Sequence, residues 1–358
     1  MALGIVLAGG GTGGHIFPAL ALAQTIREHA PGARVSFIGS DRGLEGRYVP
    51  AAGFELDQVA SAQVSGKSWL AAARGLAAAA RGTLRARRLL RARGADLVIG
   101  VGGYASVPAV AAALSMRLPT ALVEPNARAG RANRLLGRFA RAVFVQFEGA
   151  RSAFPPERVH LTGYPVRAFP EPRARPADGR VRLLVSGGSQ GARAINRAVC
   201  SLLPELAGRE VEISHQSGQA DFEWVERAYA EAGLNAEVAP FFDDLPARLA
   251  ASDVLVARSG AATVAELCRV GVAAILVPYP HAADDHQMHN ARELERDGAC
   301  ELIPNHELER RLGTALTRLL NDPAKRARLA CGAAGRARPR AALEIWERCS
   351  ALAKGGRA

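Results

Sequence analysis

The chain is poor in aromatic residues and lysine, and its cysteines form no recognisable pairs. Aromatic residues make up 5% of the 358 residues, and no nucleic-acid-binding motif is present, so we expect no RNA or DNA partner. The five cysteines are scattered without a Cys-x-x-Cys pair, which favours reduced thiols in a cytosolic protein. No basic and apolar leader precedes the first apolar run, so no signal peptide is expected.

Long hydrophobic runs are also missing, with one apparent exception at residues 97–116. This stretch carries no charge, but it contains Gly100, Gly102, Gly103 and Pro108, and it divides better into a strand, a glycine turn and a short helix. We therefore predict no membrane span. Arginine is abundant and brings the formal net charge to +12, which favours an anionic partner such as a phosphorylated substrate or an anionic membrane surface.

Short apolar runs alternate with helical stretches in both halves, which predicts an α/β fold with parallel sheets covered on both faces. The predicted strands are 3–8, 35–39, 97–101, 120–123, 142–145, 181–186, 211–214, 236–239, 253–257 and 274–278. The Pro- and Arg-rich segment 168–180 is predicted as a linker between domains 1–167 and 181–335, with a helical tail, 336–358, that could pack back on the first domain. Two similar domains facing each other across a cleft are expected.

The first glycine loop, residues 9–14, follows an apolar run and precedes a helical segment. Such a loop brings backbone N–H groups and a helix N-terminus towards an anion. The glycine spacing also matches a dinucleotide fingerprint, but Asp41, the acidic residue after the second predicted strand, lies too far downstream for a good match. His15 closes the loop, and an imidazole at a helix N-terminus suits a neutral general base.

The second half repeats the theme at Gly187-Gly188-Ser189-Gln190-Gly191. This loop lacks the Gly-Lys-Ser/Thr ending of an ATPase loop, so we expect it to bind a diphosphate without nucleotide hydrolysis. A later motif, residues 258–266, has two interpretations. Thr263 and Glu266 could form a helix capping box, or Glu266 could accept hydrogen bonds from vicinal ribose hydroxyls.

Residues 278–290 are dense in His and Asp, but His281, His286 and His289 lack the spacing of metal ligands. A loop that reads hydroxyl groups through Gln287 and Asn290 is favoured over a metal site. The region 69–93 is a basic amphipathic helix that begins with Trp69, and it is either an ordinary solvated face or a surface for anionic lipid headgroups.

Six motifs occur together in the order and spacing of one family: residues 10–15, 102–104, 124–126, 187–192, 258–261 and 285–287. With these motifs, the chain from about Leu3 to Leu320 resembles the MurG family of peptidoglycan N-acetylglucosaminyltransferases. The resemblance implies a GT-B fold, with an acceptor site in the N-terminal domain and a donor site in the C-terminal domain. It also implies a peripheral enzyme on the cytoplasmic face of the bacterial inner membrane.

The implied reaction moves GlcNAc from UDP-GlcNAc to the 4-hydroxyl of MurNAc in lipid I and gives lipid II with inversion. The resemblance implies a UDP-GlcNAc site lined by Thr12, Gly13, Gly14, Asn126, Arg167, Ser189, the backbone of Phe242, Ala261, Ala262, Thr263, Val264, Ala265, Glu266 and Gln287. His286 stands where some members carry Gln, and Val123 and Pro125 depart from the usual His-Glu-Gln-Asn.

His15 is the candidate general base, with Glu124 and Asp41 as alternatives. The Ser189 loop, its helix dipole and Arg167 are expected to hold the departing diphosphate. No Asp-x-Asp motif is present, so neither a metal nor another cofactor is expected. Three alternatives stay open: an NAD-dependent oxidoreductase, a non-catalytic basic protein at membranes or nucleic acid, and a GT-B glycosyltransferase with another acceptor.

Overall fold

The computed structural model describes residues 2–40, 43–59, 69–103, 106–169 and 179–355. They form two compact units, of which the first comprises residues 1–167 and 339–358 and the second residues 168–338. Of the predicted linker, residues 170–178 lie outside the described part of the chain. Within that part, no helix has both the length and the apolar character needed to cross a bilayer.

The first unit is built on a seven-stranded parallel sheet with the order β3-β2-β1-β4-β5-β6-β7. Its strands are β1 (Gly4–Gly9), β2 (Arg34–Ser40), β3 (Glu55–Val59), β4 (Leu97–Gly102), β5 (Thr120–Glu124), β6 (Ala142–Val145) and β7 (Val159–Leu161). Its helices from the N-terminal part of the chain are α1 (Gly13–His29), α2 (Glu45–Ala51), α3 (Trp69–Ala92), α4 (Ser106–Ser115) and α5 (Arg131–Leu136). The uncharged stretch 97–116 forms β4 and α4, as predicted.

The second unit is built on a six-stranded parallel sheet with the order β10-β9-β8-β11-β12-β13. Its strands are β8 (Val181–Ser186), β9 (Val211–Gln216), β10 (Ala236–Ala239), β11 (Val254–Ala257), β12 (Ala273–Leu276) and β13 (Glu301–Leu302). Its helices are α6 (Arg193–Cys200), α7 (Leu203–Leu206), α8 (Phe222–Glu231), α9 (Leu245–Ala251), α10 (Ala261–Val270), α11 (His286–Arg296), α12 (Leu308–Asn321) and α13 (Pro323–Gly335).

The last helix, α14 (Ala341–Gly355), belongs to the first unit, where it packs on α1 and β4. Its inward face buries Ile345, Trp346 and Cys349. Residues 339–358 therefore complete the domain formed by residues 1–167, although the second unit lies between them in the sequence.

The apolar strands explain why helices cover both faces of each sheet. β1, β4, β5 and β6 are buried along their whole length, which leaves no face for water. In both sheets the strand order reverses beside the first strand of the unit, between β1 and β4 and between β8 and β11. Ligands of doubly wound sheets bind beyond the carboxyl ends of the strands at such reversals.

Candidate active site

His15 lies at the strand reversal of the first sheet, between β1 and β4. α1 begins at Gly13 with Thr12 as its N-cap, so His15 lies in the first helical turn, and its N–H donates to the carbonyl of Thr12 at 3.1 Å. The imidazole lies against Gly102 and Gly103, where an added Cβ would come within 2.9 Å of Nδ1 and 3.3 Å of Cδ2, respectively. The glycine pair at the end of β4 therefore makes room for the ring.

The same glycine pair brings two loops into contact. A Cβ on Gly103 would overlap the carbonyl oxygen of Gly10, and both Gly102 and Gly103 have positive φ values, 102° and 78°. Side chains at these two positions would be strained as well as crowded. The first glycine loop and the β4–α4 turn thus form one packed unit around His15.

Tyr164 fixes the start of α1 from the far edge of the sheet. Its buried hydroxyl donates to the carbonyl of Gly14 at 2.9 Å. Burial raises the pKa of this phenol, and the neighbouring Glu124 raises it further, so the hydroxyl stays a donor at neutral pH. Arg167, three residues on, places its guanidinium 4.5 Å above the ring of Phe17 in α1.

Glu124 organises the loop that follows β5. Its buried carboxylate accepts from the backbone of Asn126 at 3.0 Å, from the backbone of Gly130 at 3.0 Å and from the side chain of Asn133 at 2.9 Å. The Asn126 side chain also donates to it at 3.3 Å. Burial raises the pKa of Glu124, and these donors act in the opposite direction. Both carboxylate oxygens therefore hold the 125–133 segment and orient Asn126.

The second glycine loop lies at the other reversal. Gly191 has φ 76°, and a Cβ there would overlap the carbonyl oxygen of Ser217. The side chain of Gln216 donates to the carbonyl of Gly188 at 2.9 Å and accepts from the N–H of Phe242 at 2.9 Å. Ser189 is exposed at the loop tip. Of the Phe242 backbone, which the resemblance assigns to the donor site, the N–H therefore donates to Gln216 in this structure.

Behind this loop lies a buried hydrogen-bond network that joins amide, imidazole and hydroxyl groups to the carboxylate of Asp221. Asn196 donates through Nδ2 to the Ser217 carbonyl at 2.9 Å and to Asp221 at 3.0 Å, so its Oδ1 must accept from His215 Nε2 at 3.0 Å. His215 Nδ1 then accepts from the Tyr229 hydroxyl at 3.1 Å. Burial lowers the pKa of His215 to about 3, so it is neutral in the fold.

The structure overturns the capping-box interpretation of residues 258–266. α10 begins at Ala261 with Gly260 as its N-cap, so Thr263 lies inside the helix and is not its cap. The first two turns of α10 also contain Ala262, Val264 and Ala265. Glu266 lies at the end of these turns and is mostly buried.

Arg258 braces the turn before α10. Its guanidinium donates to the carbonyls of Val277 and Pro278 at 3.1 and 3.0 Å and to Asn305 at 2.9 Å. Burial lowers the pKa of Arg258 to about 10, which leaves it charged at neutral pH. The charged side chain of Arg258 therefore connects the turn before α10 to the residues that follow β12.

The polar segment 278–290 joins the same edge of the sheet. Gln287 accepts at Oε1 from the Tyr279 N–H at 2.9 Å, which leaves its amide nitrogen as the donor. The backbone carbonyl of Gln287 accepts from the Ser259 hydroxyl at 2.8 Å. His286 donates through Nδ1 to the Ala283 carbonyl at 2.8 Å, which fixes its tautomer. No group of His, Cys, Asp and Glu within the described residues is arranged to hold a metal ion.

Two of the highlighted residues, Asp41 and Tyr104, lie outside the described residues. Conversely, sequence reasoning missed several residues that shape the loops. They are Glu45, Asn133, Asn196, His215 and Gln216. No local spacing in the sequence indicates any of them.

Residues 5–145 match the glycosyltransferase family 28 N-terminal domain, and residues 182–344 match the C-terminal domain of that family. The UDP-N-acetylglucosamine–N-acetylmuramyl-(pentapeptide) pyrophosphoryl-undecaprenol N-acetylglucosamine transferase of Anaeromyxobacter dehalogenans (strain 2CP-C) is 43% identical over 98% of this chain and 93% of its own length. The chain belongs to the MurG family.

Solved structures agree with this membership. Acinetobacter baumannii MurG is 30% identical with a TM-score of 0.77, covering 97% of this chain and 98% of that one. The calicheamicin glycosyltransferase CalG4, at 18% identity and TM-score 0.69, covers 97% of this chain and 98% of its own and shows likeness of fold alone. The predicted α/β class with two Rossmann-like domains and a GT-B fold is confirmed, and the protein is a glycosyltransferase.

Proposed function

We propose that this MurG-family protein transfers GlcNAc from UDP-GlcNAc to the 4-hydroxyl of MurNAc in lipid I and so forms lipid II. The observation that carries the proposal is His15 in the first turn of α1, cradled by Gly102 and Gly103 at the strand reversal. The 43% identity to a relative named for this transfer supports the substrate pair.

The reaction is a single displacement. The acceptor oxygen forms a bond to the anomeric carbon of GlcNAc while the bond from that carbon to the UDP oxygen breaks, which inverts the configuration. An imidazole nitrogen of His15 takes the hydroxyl proton, and general base catalysis of this kind contributes roughly 10²- to 10⁴-fold. Thr12, Gly13 and Gly14, at the start of α1, face the transferred GlcNAc and the diphosphate of the acceptor.

Glu124 is assigned a positioning role in this mechanism. Four donors from its own loop occupy the carboxylate, so it holds Asn126 towards the substrate and leaves proton transfer to His15. Asp41, outside the described residues, stays a secondary alternative.

We assign the donor to the second unit. Ser189 and the amides at the start of α6 receive the diphosphate, because a helix N-terminus stabilises the charge that develops on departing UDP. Glu266 accepts from the ribose hydroxyls, Ala261 to Ala265 line the nucleotide, and Gln287 donates to the sugar, with His286 beside it. Phe242 contributes through its backbone. Arg167 offers a guanidinium suited to phosphate. No cofactor is assigned to the reaction.

A basic face of α3 supports a peripheral position on the cytoplasmic side of the bacterial inner membrane. Arg81, Arg85, Arg88 and Arg91 are exposed at helical spacing, and Leu84 between them is 61% exposed. Arg93 is excluded from this face because it pairs with Glu55 and Asp57. We propose that the face binds anionic lipid headgroups, where each basic residue contributes about 1 kcal/mol.

A second exposed apolar group in the same unit supports this docking role. Leu135 and Phe139 are 59% and 64% exposed, and Arg134 and Arg138 flank them. Phe139 also borders a cavity of about 600 Å³ between α4 and the end of α5. Apolar side chains ringed by arginine suit the boundary between headgroups and acyl chains.

Docking is tested with vesicles. Replacing Arg81, Arg85, Arg88 and Arg91 with Gln should weaken binding to anionic vesicles by up to about 10³-fold, from about 1 kcal/mol per residue. The matched control replaces four exposed arginines of the second unit, Arg227, Arg310, Arg328 and Arg338, with Gln. Equal loss in both variants would mean that net charge, and not this face, binds the vesicle.

The transfer itself is tested with labelled UDP-GlcNAc and a lipid I analogue without added metal. Formation of the labelled disaccharide supports the proposal. Donor turnover with another sugar acceptor but not with the analogue would point to a different acceptor, and tight NAD(P)H binding without UDP-GlcNAc binding would overturn the assignment.

A further inference from the structure

A buried carboxylate lies directly beneath the first glycine loop. Glu45, the first residue of α2, is fully buried. Both of its oxygens accept from the N–H of Gly11, at 3.1 and 2.9 Å, and Oε1 also accepts from the N–H and the hydroxyl of Ser40, at 2.7 and 2.5 Å. The carboxylate thus links the end of β2 to the loop that carries His15.

Three glycines form a cage that fits this carboxylate. A Cβ on Gly10 or Gly43 would overlap a carboxylate oxygen, and one on Gly39 would lie 2.8 Å from its Cγ. Burying a carboxylate is costly unless hydrogen bonds replace its hydration, and charge-assisted bonds from amides and hydroxyls do so. The surroundings of Glu45 are therefore those of an anion site.

Glycine loops before a helix present their amides to bound anions. Here the N–H of Gly11 is directed to a side chain of the protein itself. A substrate phosphate at this loop would therefore bind backbone N–H groups that follow Gly11, at the start of α1. Glu45 therefore fixes which part of the loop remains for a ligand.

The loop position also determines where His15 stands. His15 follows Gly11 by one helical turn and bonds to the carbonyl of Thr12, while Gly103, which borders its ring, packs on the carbonyl of Gly10. A shift at Gly10 and Gly11 would displace the backbone of His15 and the wall of its cradle together.

We propose that Glu45 is a positioning residue for the transfer, whose carboxylate occupies the anion position at Gly11 and holds the first glycine loop in the geometry that His15 requires. The inference rests on the proposed function, since it assigns the loop to the reaction. It also accounts for the donor nucleotide using the second loop, where no such carboxylate bonds to the described amides.

The first test is Glu45→Gln, which keeps the shape but turns an NH₂ group towards the donors. We expect kcat to fall by about 10²-fold, because misplacement by about 1 Å costs that much, with UDP binding by the second unit unchanged. The matched control is Glu28→Gln, an exposed carboxylate on α1. An unchanged kcat, or parallel loss of UDP binding and thermal stability, would overturn the positioning role.

A graded variant and chemical rescue sharpen the result. Ser40→Ala removes one of the donors to Glu45 and should give a smaller loss of kcat than Glu45→Gln. In Glu45→Ala, formate should restore turnover at an ionic strength matched with sodium chloride, because it can fill the vacated cage. Lack of rescue in a folded variant would overturn the anion assignment.

A readout independent of turnover separates this inference from the proposed function. The proton resonance of the His15 imidazole is followed through a pH titration. Its titration curve should differ from that of the wild type in Glu45→Gln and should match it in Glu28→Gln. If wild-type protein forms no disaccharide, the proposed function fails, while this resonance still reports whether Glu45 positions His15. An identical titration in all three proteins would overturn the inference.

Discussion

The two glycine loops have the same place in their sheets but are held by opposite kinds of group. The first loop donates to the buried carboxylate of Glu45 and leads into His15. The second is held by amide side chains: Gln216 donates to the Gly188 carbonyl of the loop, and Asn196 donates to the neighbouring Ser217 carbonyl, against which Gly191 packs. One loop is anchored by negative charge and the other by neutral donors.

This difference shows how one backbone motif serves two tasks. A loop whose amide already binds a carboxylate is less able to accept a second anion, but it is rigid enough to position a base. In the second loop the N–H groups of Gly188 and Gly191 donate to the Ser186 hydroxyl and the Gly188 carbonyl, and a diphosphate would be received at the Ser189 tip and the start of α6. The first loop therefore suits the reacting hydroxyl, and the second suits the leaving group.

The largest effect is expected at His15. His15→Ala should lower kcat by 10²- to 10⁴-fold, the range for loss of a general base, while UDP affinity is retained. The control is His29→Ala at the other end of α1, an exposed residue that should leave kcat unchanged. Steady-state kinetics and UDP titration measure both quantities, and near-normal turnover of His15→Ala would remove this residue from the mechanism.

Alanine at matched glycines should separate the two loops. Gly191→Ala overlaps the Ser217 carbonyl and should weaken UDP binding by about 10²-fold, whereas Gly103→Ala overlaps the Gly10 carbonyl and should lower kcat with UDP binding intact. The control is Gly233→Ala, which has φ 64° but no atom within 4 Å of an added Cβ. If both loop variants lost the same property, the division of labour would be wrong.

The neutral anchor of the second loop predicts a pH effect on stability. The pKa of His215 is lowered from 6.5 to about 3, so its contribution is complete above pH 6.5 and is lost as the pH falls towards 3. Between pH 7.5 and 5 the second unit should lose about 2 kcal/mol, at about 1.36 kcal/mol per pKa unit.

Urea unfolding at the two pH values measures this loss. It should be absent in His215→Gln and present in His306→Gln, a control in which the replaced imidazole is 81% exposed. The same loss in His215→Gln as in the wild type would place the pH sensitivity elsewhere.

The smallest effect is expected at Glu266. Glu266→Ala should weaken UDP binding by about tenfold, as expected for loss of hydrogen bonds to a charged acceptor. Because Gly260 caps α10, the helix should keep its stability. Isothermal titration and thermal unfolding distinguish the outcomes, since normal affinity with lower stability would indicate a structural role for Glu266.

Much of the fold could be predicted because its strands are buried and apolar. Ten strands lie where the sequence placed them, with ends shifted by at most two residues. β3, β7 and β13 escaped prediction because they are short or carry charged residues, as in Glu55-Leu56-Asp57-Gln58-Val59. Edge strands of this kind depend on pairing with a neighbour more than on their own composition.

The loops of the site were predictable, but their anchors were not. Glycine clusters after apolar runs are local patterns, so both loops and His15 could be found in the sequence. Glu45 binds Gly11 from 34 positions away, and Gln216 binds Gly188 from 28 positions away, so no local spacing indicates them. Thr263 was ambiguous because a capping pattern looks the same inside a helix as at its start.

The return of α14 to the first unit makes that unit a domain interrupted by another domain. A fragment ending at residue 167 would leave bare the surfaces of α1 and β4 that α14 covers with Trp346 and Ile345. During synthesis the first unit therefore remains incomplete until the second has been made. Fragments intended to fold alone should join residues 1–167 to 339–358 through a short connection, and the second unit can be cut out as one continuous piece.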